Sequence, residues 1–110
     1  MDASQSIADL TDSQFRIDKP ADVLDLVGSG TLNAVIHEKQ INPDFFDLST
    51  RFAGEVVQKC QNYGVRLAVV IEPDKPRSKH FQEFAQESNR HNRFVFVASA
   101  AEGIERLRRD

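Results

Sequence analysis

Val65-Arg66-Leu67-Ala68-Val69-Val70-Ile71 is the stretch on which the fold turns. Only Arg66 in it is polar. Gly64 bounds the run on one side, and Pro73 and Pro76 bound it on the other, so it reads as a strand. Upstream, Ala53, Val56, Val57, Cys60 and Tyr63 recur at helical spacing. They predict a helix from about Ser49 or Thr50 to Tyr63, closed by Gly64. Gly54 falls inside that helix at a cost of ~1 kcal/mol relative to Ala, and a close helix-to-strand approach would account for it.

The pattern repeats outward. Leu32–His37 is a second short apolar run suited to a buried strand. Asn42-Pro43 reads as a capped turn between the two strands. Val23, Leu24 and Val27 mark an earlier helix, with Asp18 as its candidate cap and Gly28-Ser29-Gly30 as its end. Gln5–Leu10 is a weaker strand candidate, and Phe15 to Ile17 a short extended piece. Downstream, Ser78 caps a third helix with Phe81, Phe84, Ala85 and Ser88 on its inner face. Phe94–Val97 is the last strand. Ser99 and Glu102 have capping-box spacing ahead of a fourth helix lined by Ala101, Ile104 and Leu107. This alternation predicts an α/β fold. Its sheet has four or five mostly parallel strands with right-handed crossovers, and the N-terminal strand is free to join antiparallel.

Composition bounds the rest. The 110 residues fit one α/β domain, with an ordered core from about residue 5 to 108. The single cysteine, Cys60, forbids an internal disulfide, and with three histidines no structural zinc site or other metal or cofactor is expected. No apolar run approaches the ~20 residues that span a bilayer, and Met1–Leu10 lacks the order of a signal peptide. A net charge of −3 argues against nucleic-acid binding. The expected setting is cytoplasmic.

In a parallel sheet, ligands sit at the carboxyl ends of the strands. His37-Glu38-Lys39 follows the second strand there. His37 is a candidate proton carrier or donor and Glu38 its carboxylate partner; the plainer reading is a solvated strand end. In Pro43-Asp44-Phe45-Phe46-Asp47-Leu48-Ser49-Thr50, two Phe lie between two Asp. They fix the entry of the second helix or form aromatic anchors for a partner. Asp47, Ser49 and Thr50 near a helix start favour a cap or an anion site. Glu55 precedes Lys59 by four residues, the favourable order for a helical ion pair, or else faces His37 and Lys39 across the strand ends. Lys75, Arg77, Lys79, His80, Arg90, His91 and Arg93 give the third helix and its flanks a basic bias that reads as a solvated face. No nucleophile stands at a diagnostic spacing, so a catalytic triad is not supported.

Ile36-His37-Glu38-Lys39, then Pro43 to Leu48 and Ala53-Gly54-Glu55, resemble an uncharacterised bacterial family, domain of unknown function 4180. The likeness runs on through Gln58-Lys59, Tyr63, Arg66-Leu67-Ala68 and Glu87-Ser88-Asn89, and covers the chain from about Ile7 to Leu107. The sequence departs at Arg51, where the family tends to have Gly. More distantly, Asp47, Ser49, the following helix and the Val65–Ile71 strand are spaced like the loop of the sulfate-transporter and anti-sigma-antagonist (STAS) fold. That resemblance implies a STAS-like fold and makes Ser49 the candidate phosphosite. The small residues that flank the phosphorylated Ser there are replaced by Leu48, Thr50 and Arg51.

Two functional readings follow. One is a non-enzymatic regulatory module with a protein partner, its face built from His37, Glu38, Lys39, Asp44, Phe45, Phe46, Asp47, Ser49, Thr50 and Glu55. The other is a small-molecule or anion-binding domain, or an enzyme, with its site around His37 and Glu55. The Phe45-Phe46 pair also suits a homodimer.

Overall fold

Alternation within the strands sets the two faces of the sheet. The computed structural model describes residues 6–109. Among them, β1 (Ala8–Asp9), β2 (Asn33–His37), β3 (Arg66–Val70) and β4 (Phe94–Val97) form one sheet in the order β1-β2-β3-β4. Every pairing is parallel, β1 included, so the N-terminal strand does not join antiparallel. Ala34, Ile36, Leu67, Val69, Phe94 and Phe96 point to one face, and Val35, Ala68, Val95 and Val97 to the other. Residues Arg66 to Val70 of the deciding run thus bury both faces, as a central parallel strand must.

Three helices cover the first face: α1 (Val23–Gly28), α2 (Phe52–Tyr63) and α3 (Lys79–His91). Each is the crossover between consecutive strands, so repeated crossovers of one hand place all three on the same side. The fourth helix, α4 (Ala100–Arg108), closes the second face with Leu107 buried and Ala100 and Ile104 packed beside it. The arrangement fits a STAS-like fold. No described helix is long and apolar enough to cross a membrane.

Several local expectations change. Residue 5 of the first strand candidate lies outside the described residues, and β1 keeps only Ala8–Asp9. Phe15 to Ile17 forms no strand of its own; Ile17 makes an isolated parallel bridge to Ile41 and is fully buried. Asp18 does not cap the first helix. The Asp22 carboxylate accepts from the Asp18 and Lys19 amides instead, and Asp18 pairs with Arg16. In α1 the inward residues are Val23 and Leu26, while Leu24 is exposed. In α2 Tyr63 is exposed and Phe52 is buried, because the helix begins at Phe52 and its inner face falls on Phe52, Ala53, Val56 and Cys60. On α4, Ala101 is exposed, and the Glu102 carboxylate returns to the Ala98 amide.

β4 is an outer strand, and α3 covers its open edge. The Ser88 hydroxyl donates to the Phe94 carbonyl. Asn89 accepts from the Phe96 amide at 2.7 Å and donates to the Phe96 carbonyl at 3.3 Å. Ser88-Asn89 therefore gives the edge the partners a fifth strand would supply, which blunts edge-to-edge association.

The tight glycine is Gly103, not Gly54. A Cβ on Gly54 would meet nothing within 4 Å, whereas on Gly103 it would lie 3.0 Å from Val35 Cγ1 and 3.1 Å from Ala68 Cβ. α4 thus lies on the sheet through a bare backbone position. Gly54→Ala is expected to stabilise the chain by about 0.5–1 kcal/mol through helix propensity. Gly103→Val is expected to destabilise it by about 1–3 kcal/mol through overpacking. Urea midpoints at unchanged m-value check both.

Candidate functional site

β2 ends at His37, and the chain turns at once through a short 3-10 segment, Glu38–Gln40. Three side chains make that turn. The Lys39 amide donates to His37 Nδ1 at 3.1 Å. Gln40 accepts from the His37 amide at 2.7 Å and donates to the carbonyls of Leu10 at 2.8 Å and Phe15 at 3.0 Å. The buried Gln40 thereby ties the β1–α1 connection to the end of β2. Glu38 points inward and is 3% exposed.

A buried carboxylate is costly unless it is paired. Glu38 is paired four ways. Arg77 grips it with Nη1 at 3.0 Å from Oε1 and Nη2 at 2.6 Å from Oε2. Lys75 Nζ lies 3.3 Å from Oε1, and the Glu72 amide donates to Oε2 at 2.6 Å. Burial pushes the Glu38 pKa up, but the Arg77 and Glu72 hydrogen bonds, the Arg77 charge and Lys75 outweigh it and hold the carboxyl at about 2. The Arg77 guanidinium lies 5.3 Å from the Phe46 ring centroid and 5.8 Å from that of Phe81, a cation–π arrangement on both. Arg77 is therefore not part of a solvated basic face; its side chain is 11% exposed.

The segment after this turn folds as two consecutive 3-10 turns, Pro43–Phe46 and Leu48–Thr50, not as the start of α2. Asn42 caps the first, with Pro43 at its first position, as the sequence implies. Phe45 is fully buried, its ring centroid within 5.1 to 6.4 Å of Phe46, Phe52, Phe84, Phe94 and Phe96. Phe46 is half-buried against Phe81 and Arg77. The pair thus fixes the approach to α2 and leaves Phe45 no surface to offer a partner or a second copy.

Asp44, Asp47, Ser49 and Thr50 project outward as a polar ledge. Asp47 caps the second turn, accepting from the Ser49 hydroxyl at 2.7 Å and its amide at 3.1 Å; both bonds lower the Asp47 pKa. The Thr50 hydroxyl lies 2.8 Å from the carbonyls of Asp44 and Asp47 and accepts from the Phe52 amide at 3.2 Å. Arg51 then enters α2 with φ 65°, the left-handed region that favours glycine. Backbone conformation, not a bare approach to a ligand, is what a glycine at this position would serve.

Two hollows flank the ledge. One, of about 250 Å³, is lined by Arg16, Glu38, Lys39, Ile41, Phe46 and Lys75 among others. The second, of about 400 Å³, lies along α2 between Leu48, Arg51, Gly54, Glu55, Gln58 and Phe84. His37 lines neither. Glu38 and Lys39 share the first and Glu55 lies in the second, so the candidate residues form two neighbouring surfaces. The exposed Glu55 carboxylate forms no ion pair with any described residue, Lys59 included. Lys39 Nζ reaches Glu72 at 4.0 Å. No group of three or more His, Cys, Asp or Glu among the described residues could hold a metal ion.

Arg77, Lys75, Gln40 and Arg16 are the site residues that sequence reasoning missed. The available signal was a lone Arg in a Pro-punctuated loop, immediately before a helix cap and downstream of an unpartnered Glu.

A family model, Domain of unknown function (DUF4180), matches residues 2–107. The chain belongs to this family. No curated protein and no solved structure matches it.

Two outcomes follow. Glu38→Gln leaves the Arg77 charge buried without its counter-ion and is expected to cost about 3 kcal/mol. The folded-state pKa of Glu38, about 2, lies below the ordinary value of 4.5. Its stabilisation is therefore complete above about pH 4.5 and is lost as pH falls toward 2. The stability gap between wild type and Glu38→Gln, read by urea unfolding, should close across that interval. Arg51→Gly removes the left-handed strain and should raise stability by about 0.5–1 kcal/mol, read by the same unfolding curves.

Proposed function

We propose that this chain is a non-enzymatic, regulatory protein-interaction module of STAS-like type, working in the cytoplasm. Its partner face is the ledge Asp44, Asp47, Ser49 and Thr50, continued onto Lys39 and Glu55. One observation carries this reading: the ledge is exposed yet held rigid, by Phe45 in the core below and by the Asp47 and Thr50 hydrogen bonds within it. A preorganised surface loses little conformational entropy on binding. The neighbouring hollow between Leu48 and Phe84 adds an apolar element beside charged groups, the usual composition of an interface. Asp44, Asp47 and Glu55 outnumber Lys39 and Arg51 there, so the face suits a basic partner.

Ser49 is the natural place for control. Its hydroxyl is exposed and donates to Asp47. A phosphoryl group would remove that donor and set about −1.5 to −2 charges beside a carboxylate. The turn would open and the ledge would become more acidic. The alternative, a small-molecule or anion-binding domain or an enzyme around His37 and Glu55, has less behind it. Glu38 is committed to Arg77, His37 Nδ1 to a backbone amide, and Glu55 lies in a different hollow.

The decisive comparison uses the full chain purified gently from its own cells and weighed intact. Wild type and Arg108→Glu, a change on the far helix α4, should carry one and the same second protein. The double variant Asp44→Arg/Glu55→Arg should lose it at unchanged melting temperature. No second chain on wild type, or a chain kept by the double variant, would overturn the proposal.

A further inference from the structure

α2 and α3 lie side by side over the sheet, and near the amino ends of β3 and β4 they part. The gap is a cavity of about 180 Å³. Val57, Cys60, Val65, Phe84 and Phe94 form its apolar wall. Burial raises the Cys60 pKa to about 12, so the thiol acts there as a small apolar group. Dry apolar cavities of roughly 150 Å³ accept a benzene-sized guest, so this slot has room for a short hydrocarbon body.

The mouth is charged. His91 and Arg93 line both the slot and an adjoining hollow of about 440 Å³, with Gly64, Arg66 and Asn92. Glu87, also at the mouth, is taken by His91 at 3.0 Å and Arg90 at 3.5 Å. The Arg66 guanidinium is spent on the carbonyls of Asn92, Leu107 and Arg109. Arg93 differs: it is exposed, and its guanidinium has no hydrogen bond or ion pair with any described residue. A cation without a counter-ion thus stands at the lip of an apolar slot, with Arg66 adding positive charge behind it.

We infer that this cleft binds a small amphiphilic carboxylate, its hydrocarbon body between Val57, Cys60, Phe84 and Phe94 and its carboxylate on Arg93. Guanidinium is suited to this head group because its two parallel N–H donors match the two carboxylate oxygens. The slot draws on the second half of α2, shares only Phe84 with the hollow beside the ledge, and does not depend on the partner reading.

The test titrates the full chain with octanoate and follows backbone amide shifts, with octan-1-ol and acetate as the tail-only and head-only probes. Octanoate should give saturable shifts at Cys60, Val65 and Phe94, with a dissociation constant of order 0.1–1 mM, as a ligand of about ten heavy atoms allows. Octan-1-ol and acetate should each bind at least about tenfold more weakly, the worth of one charged contact or of the buried chain. Arg93→Glu, a surface change expected to leave the melting temperature in place, should remove the preference for octanoate over octan-1-ol. Val57→Phe, checked for folding by circular dichroism, should fill the slot and abolish binding of both. No saturable shifts up to 10-fold above that range, shifts centred elsewhere, or a preference for octanoate that survives Arg93→Glu would overturn the inference.

Discussion

The salt bridge between Glu38 and Arg77 is the constraint on which the carboxyl edge of the sheet depends. A buried carboxylate without partners would cost several kcal/mol, so the surrounding backbone has to deliver donors to it. Every donor comes from one stretch, the connection between β3 and α3. The Glu72 amide lies just after β3, Lys75 and Arg77 lie in the loop before α3, and the guanidinium lies over the neighbouring rings of Phe46 and Phe81. One ion therefore fixes the ends of β2 and β3, the loop between β3 and α3, and the double turn that leads into α2. The same commitment removes Glu38 from proton transfer near neutral pH, because its carboxyl is held at about 2.

Around that lock the polar groups divide by task. Gln40, Asn89 and Arg66 use their side chains to satisfy backbone groups that the sheet leaves open, at the β1 connection, the β4 edge and the carboxyl terminus of α4. Asp44, Asp47, Ser49 and Glu55 are turned to solvent on a frame that Phe45 and Thr50 hold still. Strain is tolerated at one non-glycine position of this frame, Arg51, where the second 3-10 turn must reverse into α2. Such strain persists only where the surroundings over-determine the backbone.

Much of the fold was legible in short apolar runs and their punctuation. Leu32–His37, Val65–Ile71 and Phe94–Val97 read as strands, and Ser78, Asn42 and Gly64 mark ends that the structure places where the sequence puts them. The errors cluster where one-dimensional spacing leaves the choice open. Leu24 against Leu26, and Tyr63 against Phe52, are decided by the rotation of a short helix about its axis, which one or two residues at its start can reset. Gly54 and Gly103 look alike in sequence, yet only Gly103 lies tight against side chains of the sheet, those of Val35 and Ala68. The site was half legible. Its carboxylates, hydroxyls and aromatics stood out in one segment, but Arg77, 39 residues beyond Glu38, looked like one more surface cation.

By itself, the sequence determined an α/β chain of alternating elements, since period-two and period-3.6 patterns are local and survive without any knowledge of partners. It also determined which segment is chemically unusual. Tertiary structure alone decided that every strand runs the same way, that Phe45 belongs to the core while Ser49 does not, and that Glu38 is an ion-pair anchor instead of an acid or base. The reason is physical: burial and charge pairing are properties of groups brought together across long stretches of chain, and those meetings exist only once the sheet has set which loops share an edge.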